Sequence, residues 1–198
     1  MRIGVTGGIG AGKTLVCEIF RKMGVPVYNA DNRAKSLMTY DTELASAIVS
    51  HFGEESYKNG VLNRQYLARH VFNDKEKLAI LNSLVHPVVK KDYEAWVESQ
   101  NTAFCLKEAA LLFETGSYRD QHKNILVYAP EDLRIRRTLK RDPHRSSTDV
   151  RAIMEKQMDE EEKRKLADFV IVNDEKQLLL PQALQIFELI QSGVWKSE

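Results

Sequence analysis

Eight consecutive residues, Gly7-Gly8-Ile9-Gly10-Ala11-Gly12-Lys13-Thr14, satisfy the phosphate-loop pattern G-x-x-x-x-G-K-[ST] at every required position. Glycines let the backbone curl until successive N–H groups point at one anion. A helix that starts at the end of the loop adds the positive end of its dipole. In that setting Lys13 reaches the terminal phosphates of a nucleotide and the Thr14 hydroxyl holds Mg²⁺. A dinucleotide-binding turn does not fit, because G-x-G-x-x-G begun at Gly8 places Lys13 where its last glycine is required.

Three further sets of residues bear on chemistry. Asp31 follows the apolar stretch Val25-Pro26-Val27-Tyr28, so it lies just past a predicted second strand. Sites in open α/β sheets form at the carboxyl ends of strands, where this carboxylate could accept the proton of an attacking hydroxyl. An N-cap of the helix that follows is an equally good account of it. Between Arg134 and Arg141 five of eight residues are basic, and Arg134, Arg137 and Arg141 share a helical face. Such a face either clamps transferring phosphates or is simply solvated. Glu108 and Glu114 flank the apolar Ala109-Ala110-Leu111-Leu112-Phe113 at the end of a third strand, where each suits a metal or substrate contact or a surface role. The acidic and basic run 159–165 is expected to be an exposed helix stitched by i,i+4 pairs, Glu160 to Arg164 and Glu161 to Lys165. His86-Pro87 is expected to end a helix.

The elements that must position these residues alternate. Short apolar strands are predicted at 2–6, 25–28, 103–107, 124–128 and 168–172, with helices between them. Continuous apolar runs suit a parallel sheet buried on both faces, and the alternation gives an α/β layer fold. The segment 31–100 lacks a convincing strand and reads as a mostly helical insertion. A last helix is expected from about Asp174 to Ile190, bent or split at Pro181.

Composition narrows the function classes. The chain has 198 residues, 43% of them hydrophobic, which suits one main domain with a real core. Its 29 Lys+Arg against 28 Asp+Glu give no field that would steer it to nucleic acid or an anionic membrane. No apolar run approaches a membrane span, and the N-terminus leads straight into the first strand, so no signal peptide is expected. Cys17 and Cys105 read as core thiols of a reduced, cytoplasmic protein. The five histidines lack ligand spacing for zinc.

Taken together in order, the motifs resemble those of the dephospho-coenzyme A kinases, a family of P-loop kinases. Thr6-Gly7-Gly8-Ile9-Gly10-Ala11-Gly12-Lys13 looks like the family's TGGIGSGK, and Ala30-Asp31 matches the end of its D-A-D. His86-Pro87 is similar to its H-P, Leu111-Leu112-Phe113-Glu114 to its L-L-F-E, and Arg141-Asp142 to the R-D that opens its lid. Gln157 and Ala167-Asp168-Phe169-Val170-Ile171-Val172-Asn173 resemble its closing Q…A-D-x-V-I-x-N. The chain departs at Asn29 for the first Asp, Ala110 for a Pro, Glu108 for an Asp and Leu15 after the loop.

The resemblance, which spans roughly residues 1–192, implies a P-loop NTPase three-layer α/β fold with a central parallel sheet. Its expected parts are a core at about 1–30, 101–138 and 166–198, a helical acceptor-binding insertion at about 31–100 and a small lid at about 139–165. It implies transfer of the ATP γ-phosphoryl to the ribose 3′-hydroxyl of dephospho-coenzyme A, with Mg²⁺. Lys13, Asp31 and Arg141 would be catalytic. Gly8, Gly10, Ala11, Gly12, Lys13, Thr14, Leu15 and Asn173 would bind nucleotide. Asp31, His86, Leu112 and Glu114 would meet the acceptor, and Thr14 and Glu108 the metal. Another small P-loop kinase acting on a nucleotide, nucleoside or shikimate-like acceptor is the nearest rival. A GTPase would require D-x-x-G and N-K-x-D, and neither occurs.

Overall fold

Parallel strands cannot be joined by tight turns and need crossover connections. Helices supply most of these here, but the helix expected between the strands near 105 and 124 is absent, and only a short 3-10 turn at Ser117–Asp120 lies there. The computed structural model describes residues 1–71 and 74–193. In order the elements are β1 (Arg2–Thr6), α1 (Lys13–Lys22), β2 (Val27–Asn29), α2 (Ala30–Tyr40), α3 (Thr42–Phe52), β3 (Tyr57–Lys58), β4 (Val61–Leu62), α4 (Arg64–Val71) and α5 (Lys75–Glu98). They continue as β5 (Cys105–Glu108), β6 (Lys123–Tyr128), α6 (Glu131–Arg141), α7 (Ser147–Met154), α8 (Glu160–Leu166), β7 (Phe169–Val172) and α9 (Leu179–Ser192). The chain divides into two units, residues 1–29 with the segment from Gln100 onward, and residues 30–99.

The first unit is built on a parallel sheet of order β2-β5-β1-β6-β7. On one face Ile3, Val5, Ile125, Val127 and Ile171 are fully buried against Val16, Cys17 and Phe20 of α1 and Ala183, Ile186 and Ile190 of α9. Each large side chain so buried contributes roughly 1.5–3 kcal/mol. On the other face the sheet is approached so closely that a Cβ on Gly4 would lie 2.5 Å from both Asn124 and Leu112. Gly24, at φ +83°, ends α1 in the left-handed conformation that glycine adopts without strain. β1 then delivers its carboxyl end, and the loop that follows it, to the top of the sheet.

The last helix starts later than its sequence pattern suggests. Asp174 turns the chain back by accepting from the amides of Lys176 and Gln177, and α9 begins only at Leu179. Pro181 therefore sits in the first turn, where its missing N–H costs no helical bond, and α9 is not split there.

The second unit packs α2, α3, α4 and α5 against one another. Leu44, Ile48 and Phe52 form the buried stripe of α3, and Val85, Val89 and Tyr93 that of α5. Arg33 pairs with Asp92 across α2 and α5. Two expectations fail here. A hairpin, β3 paired antiparallel with β4, occupies a segment expected to hold no strand. Its turn is Asn59-Gly60, with φ of +53° and +74°, the two positive values a two-residue hairpin turn needs. The helix expected to stop at His86-Pro87 instead runs through it for 24 residues, because tertiary packing on both sides of Pro87 outweighs one missing backbone bond.

Candidate active site

The phosphate loop joins β1 to α1 within unit one. Gly10 and Gly12 take positive φ of +78° and +96°, which L side chains adopt only with strain. Space also dictates glycine at three positions. A Cβ on Gly8 would fall 1.9 Å from the Arg134 guanidinium, one on Gly10 2.3 Å from the Arg134 carbonyl, and one on Gly12 2.3 Å from the Asn173 amide. The curl is closed by the Ala11 amide donating to the Gly8 carbonyl at 3.1 Å. No acidic residue lies in the first turn of α1, and no side chain among the described residues caps it, so the helix start is left open to an anion. Lys13 folds back over the loop, its Nζ donating to the carbonyls of Gly7 at 2.9 Å and Gly8 at 3.4 Å. Leu15, in the same turn, is exposed.

Beside the loop, Glu108 ends β5 in register with Val5 of β1 on one side and Asn29 of β2 on the other. The residue is only 4% exposed. A carboxylate at such a depth needs donors, and it has one for each oxygen. The Thr14 hydroxyl donates to Oε1 at 2.8 Å, and the Asn29 amide donates to Oε2 at 2.8 Å. A hydroxyl in contact with a carboxylate is a hard oxygen pair of the kind that Mg²⁺ shares with substrate phosphates and water. The residues present therefore fit the ion. Among the described residues no cluster of three or more His, Cys, Asp or Glu could form an all-protein metal cage. One turn further along α1, burial and then the nearby Glu108 charge push the Cys17 thiol far above its ordinary range, so it is inert.

A second layer braces the loop from behind. The Asn173 side-chain amide donates to the Ala11 carbonyl at 2.8 Å, and its backbone amide donates to Tyr128 at 2.7 Å. Arg137 in turn donates to the Asn173 carbonyl at 3.1 Å and to its Oδ1 at 3.3 Å. Asn173, which the resemblance implies binds nucleotide, is buried, and its side-chain amide is committed to the loop backbone. From the segment before α8, Gln157 Oε1 accepts the Ile9 amide at 2.9 Å, and the Met158 amide donates to Glu114 at 2.9 Å.

The charged run 159–165 is only in part the solvated face that its local spacing suggests: Asp159, Glu161, Glu162 and Lys165 are exposed, whereas Glu160, Lys163 and Arg164 turn inward. Lys163 is fully buried and ion-paired with Glu160 at 3.2 Å and Glu114 at 3.7 Å, and Glu160 also pairs with Arg134 at 3.3 Å. Arg164 lies over the Tyr128 ring. No feature within 159–165 betrays this, because the partners of Lys163 and Arg164 include residues from other elements.

The remaining candidates belong to several different elements. Arg141, at the end of α6, points into solvent and makes a two-bond pair with Asp142, at 3.2 and 2.9 Å. That hydrogen bonding holds the Asp142 carboxyl below the usual range and raises the Arg141 guanidinium. Leu112, expected to meet the acceptor, is 0% exposed and belongs to the core under the sheet. Glu114 lies within unit one, held by Met158 and Lys163. In unit two, Asp31 is exposed inside the first turn of α2 rather than at an N-cap, and His86 is exposed in mid α5.

This arrangement has named counterparts. A family profile described as Dephospho-CoA kinase matches residues 1–178. A dephospho-CoA kinase from Salinibacter ruber is 43% identical over 178 residues, covering 87% of this chain and 88% of its own. Among solved structures, TT1252 from Thermus thermophilus superposes with a TM-score of 0.84 at 32% identity, over 98% of this chain and 97% of its own. A dephospho-CoA kinase from Campylobacter jejuni superposes with a TM-score of 0.70 at 29% identity, over 97% of this chain and 98% of its own. By profile match, identity and fold, the chain belongs to the dephospho-CoA kinase family.

Proposed function

We propose that the loop 7–14, with Glu108, Asp31 and Arg141, carries the family's reaction in this chain. That reaction is phosphorylation of the ribose 3′-hydroxyl of dephospho-coenzyme A by ATP, the last step of coenzyme A biosynthesis. The observation that supports the assignment of residues is the meeting of Lys13, Thr14 and Glu108 around a loop whose glycines are both conformationally and sterically required.

Phosphoryl transfer asks a protein for positioning and charge compensation rather than covalent chemistry. The loop amides of Gly10, Gly12 and Lys13 cradle the β-phosphate, and that of Ala11 joins them by leaving the Gly8 carbonyl. Lys13 exchanges its two carbonyl contacts for phosphate oxygens and offsets charge that develops on the γ-phosphoryl. Thr14 and Glu108 would hold Mg²⁺, which would supply charge neutralisation for the phosphates. Asp31 orients the 3′-hydroxyl and takes its proton as the oxygen bonds to the γ-phosphorus. The bond from that phosphorus to the β–γ bridging oxygen breaks, and ADP leaves. Arg141 gives up Asp142 for the γ-phosphoryl when the region around 141–156 closes and excludes water. His86 and Glu114 contribute to acceptor binding. The enzyme works in the reduced cytoplasm, in keeping with two buried free thiols. Among the described residues no helix is long and apolar enough to cross a membrane.

The test is ADP release from Mg-ATP across dephospho-coenzyme A, AMP, CMP, UMP, adenosine, shikimate and water. Release with dephospho-coenzyme A alone, and coenzyme A identified by mass, is the expected result. Release with another acceptor instead would keep the fold and discard the substrate.

A further inference from the structure

Two cations and two anions are buried together behind the phosphate loop: Arg134, Glu160, Lys163 and Glu114, with side-chain exposures of 8%, 17%, 0% and 16%. Their charges cancel. Ionic groups at this depth give little net stability, since apolar residues of the same volume do as well or better. What the cluster does supply is fixed geometry, and it is aimed at the loop from two directions.

From one side, the Arg134 guanidinium fills the space where a side chain on Gly8 would be, and Glu160 Oε1 lies 2.8 Å from the same point. From the other side, Glu114 holds the Met158 amide at 2.9 Å. The residue before it, Gln157, carries the carbonyl that accepts the Ile9 amide at 2.9 Å. Lys163 is the common partner of both carboxylates. The chain of contacts thus runs from Lys163 through Glu114 and Met158 to Gln157 and into the loop at Ile9, one residue beyond Gly8.

We propose that Lys163 is a positioning residue for nucleotide binding and phosphoryl transfer, acting through Glu114, Met158 and Gln157 to set the phosphate-loop backbone at Gly8 and Ile9. A loop binds phosphate tightly only if its amides already point at the anion, because their reorientation would be charged against binding. Gln157 satisfies the amide of Ile9 and thereby fixes the plane of that peptide. Without Lys163 the two carboxylates repel, Met158 is released, and Gln157 loses its anchor. This rests on the loop being the nucleotide site.

The experiment is a double-mutant cycle on the full chain with Lys163→Met and Gln157→Ala, and Lys163→Arg as the conservative variant. ADP and ATP affinities are measured by calorimetry without acceptor, kcat and KM for ATP with dephospho-coenzyme A, and Tm for each. If Lys163 acts through Gln157, each single variant weakens ATP binding about tenfold and raises KM for ATP. The double variant is then no weaker than the worse single, and Lys163→Arg recovers part of the loss. Multiplying losses in the double variant would overturn the proposal, as would a Lys163→Met protein with lowered Tm and unchanged KM. Tighter ATP binding by Gln157→Ala would also overturn it, by making Gln157 a competitor of phosphate. If Lys163→Met does not fold, Glu114→Gln with Gln157→Ala makes the same cycle from the next link. Failure of the unaltered protein to bind either nucleotide is a different result, which removes the loop as nucleotide site.

Discussion

Thr14 and Glu108 stand on different elements, 94 residues apart in the chain, yet the hydroxyl of one donates to the carboxylate of the other at 2.8 Å. The sheet makes this meeting possible, because β5 ends beside the β1 terminus from which the loop departs. The second oxygen of Glu108 belongs to Asn29, whose neutral amide donates where a second carboxylate would repel.

This pair predicts how the enzyme depends on magnesium. Asn29→Asp puts two carboxylates within hydrogen-bonding distance, which disfavours ionisation of both unless a cation separates them. The variant should melt below the parent without Mg²⁺ and gain more from Mg²⁺ than the parent does. Glu108→Gln should raise the Mg²⁺ concentration for half-maximal activity by about 10–100-fold, the usual penalty for disturbing a metal site. Titration of activity and of Tm with MgCl₂ checks both. Unchanged Mg²⁺ dependence in Glu108→Gln would make Glu108 a structural partner of Thr14 only.

Lys13 is the next test. It rests on two loop carbonyls, and the proposed reaction requires it to exchange them for phosphate oxygens. Lys13→Ala should lose about 2–4 kcal/mol of transition-state stabilisation in kcat/KM, the magnitude of one lost preorganised donor. The fold should survive, because none of its core contacts is removed. Turnover near the parental value would exclude Lys13 from the transfer step.

Asn173 gives a prediction about the brace rather than the chemistry. Its side chain holds the Ala11 carbonyl and receives Arg137. Asn173→Ala leaves buried partners unsatisfied and should destabilise the protein by about 1–3 kcal/mol, with weaker ATP binding through a looser loop. Gly12→Ala should do comparable damage from the opposite direction, since its Cβ would collide with the same amide at a positive φ. Urea unfolding beside calorimetric ATP titration separates the two effects. Normal stability with weakened binding would return Asn173 to direct nucleotide contact.

Contiguous features of this chain were legible and assembled ones were not. The loop, its flanking strand and helix, Lys13 and Thr14 occupy one short stretch whose spacing carries the physics. The central strands β1 and β6 announce themselves as apolar runs because they are almost wholly buried, whereas β5 carries the buried Lys107 and Glu108 and the edge strands β2 and β7 are only partly buried. The β3–β4 hairpin escaped because strands of two residues show no alternation, although Asn59-Gly60 is a strong turn signal by itself. Pro87 misled because local propensity is overridden where packing on both sides holds a helix together. On sequence Glu160 pairs with Arg164 on an exposed helix and Lys163 calls for no partner, and only Glu114 and Arg134, brought in by other elements, show that Glu160 and Lys163 turn inward. Asn173 likewise declares its role only when the turn after β7 is seen against Gly12.

Acidity should loosen helix starts before it touches the sheet. α7 opens with a capping box in which Ser146 and Asp149 bond reciprocally. The Ser146 backbone amide, followed by its hydroxyl, holds the Asp149 carboxyl below its ordinary value. Asp74 at the start of α5 and Asp174 in the turn before α9 are lowered in the same way by backbone amides. A carboxyl whose folded pKa lies below its unfolded value of about 3.9 binds fewer protons folded than unfolded between the two values. Its stabilising contribution is therefore complete above about pH 5 and is lost as the pH falls through the folded value. Asp149→Asn should lower Tm by a constant amount from about pH 8 to pH 5, and the difference from the parent should close as the pH approaches about 3. A difference that widened in acid would mean that Asp149 carries a raised value in the folded protein and that the capping box is not formed in solution.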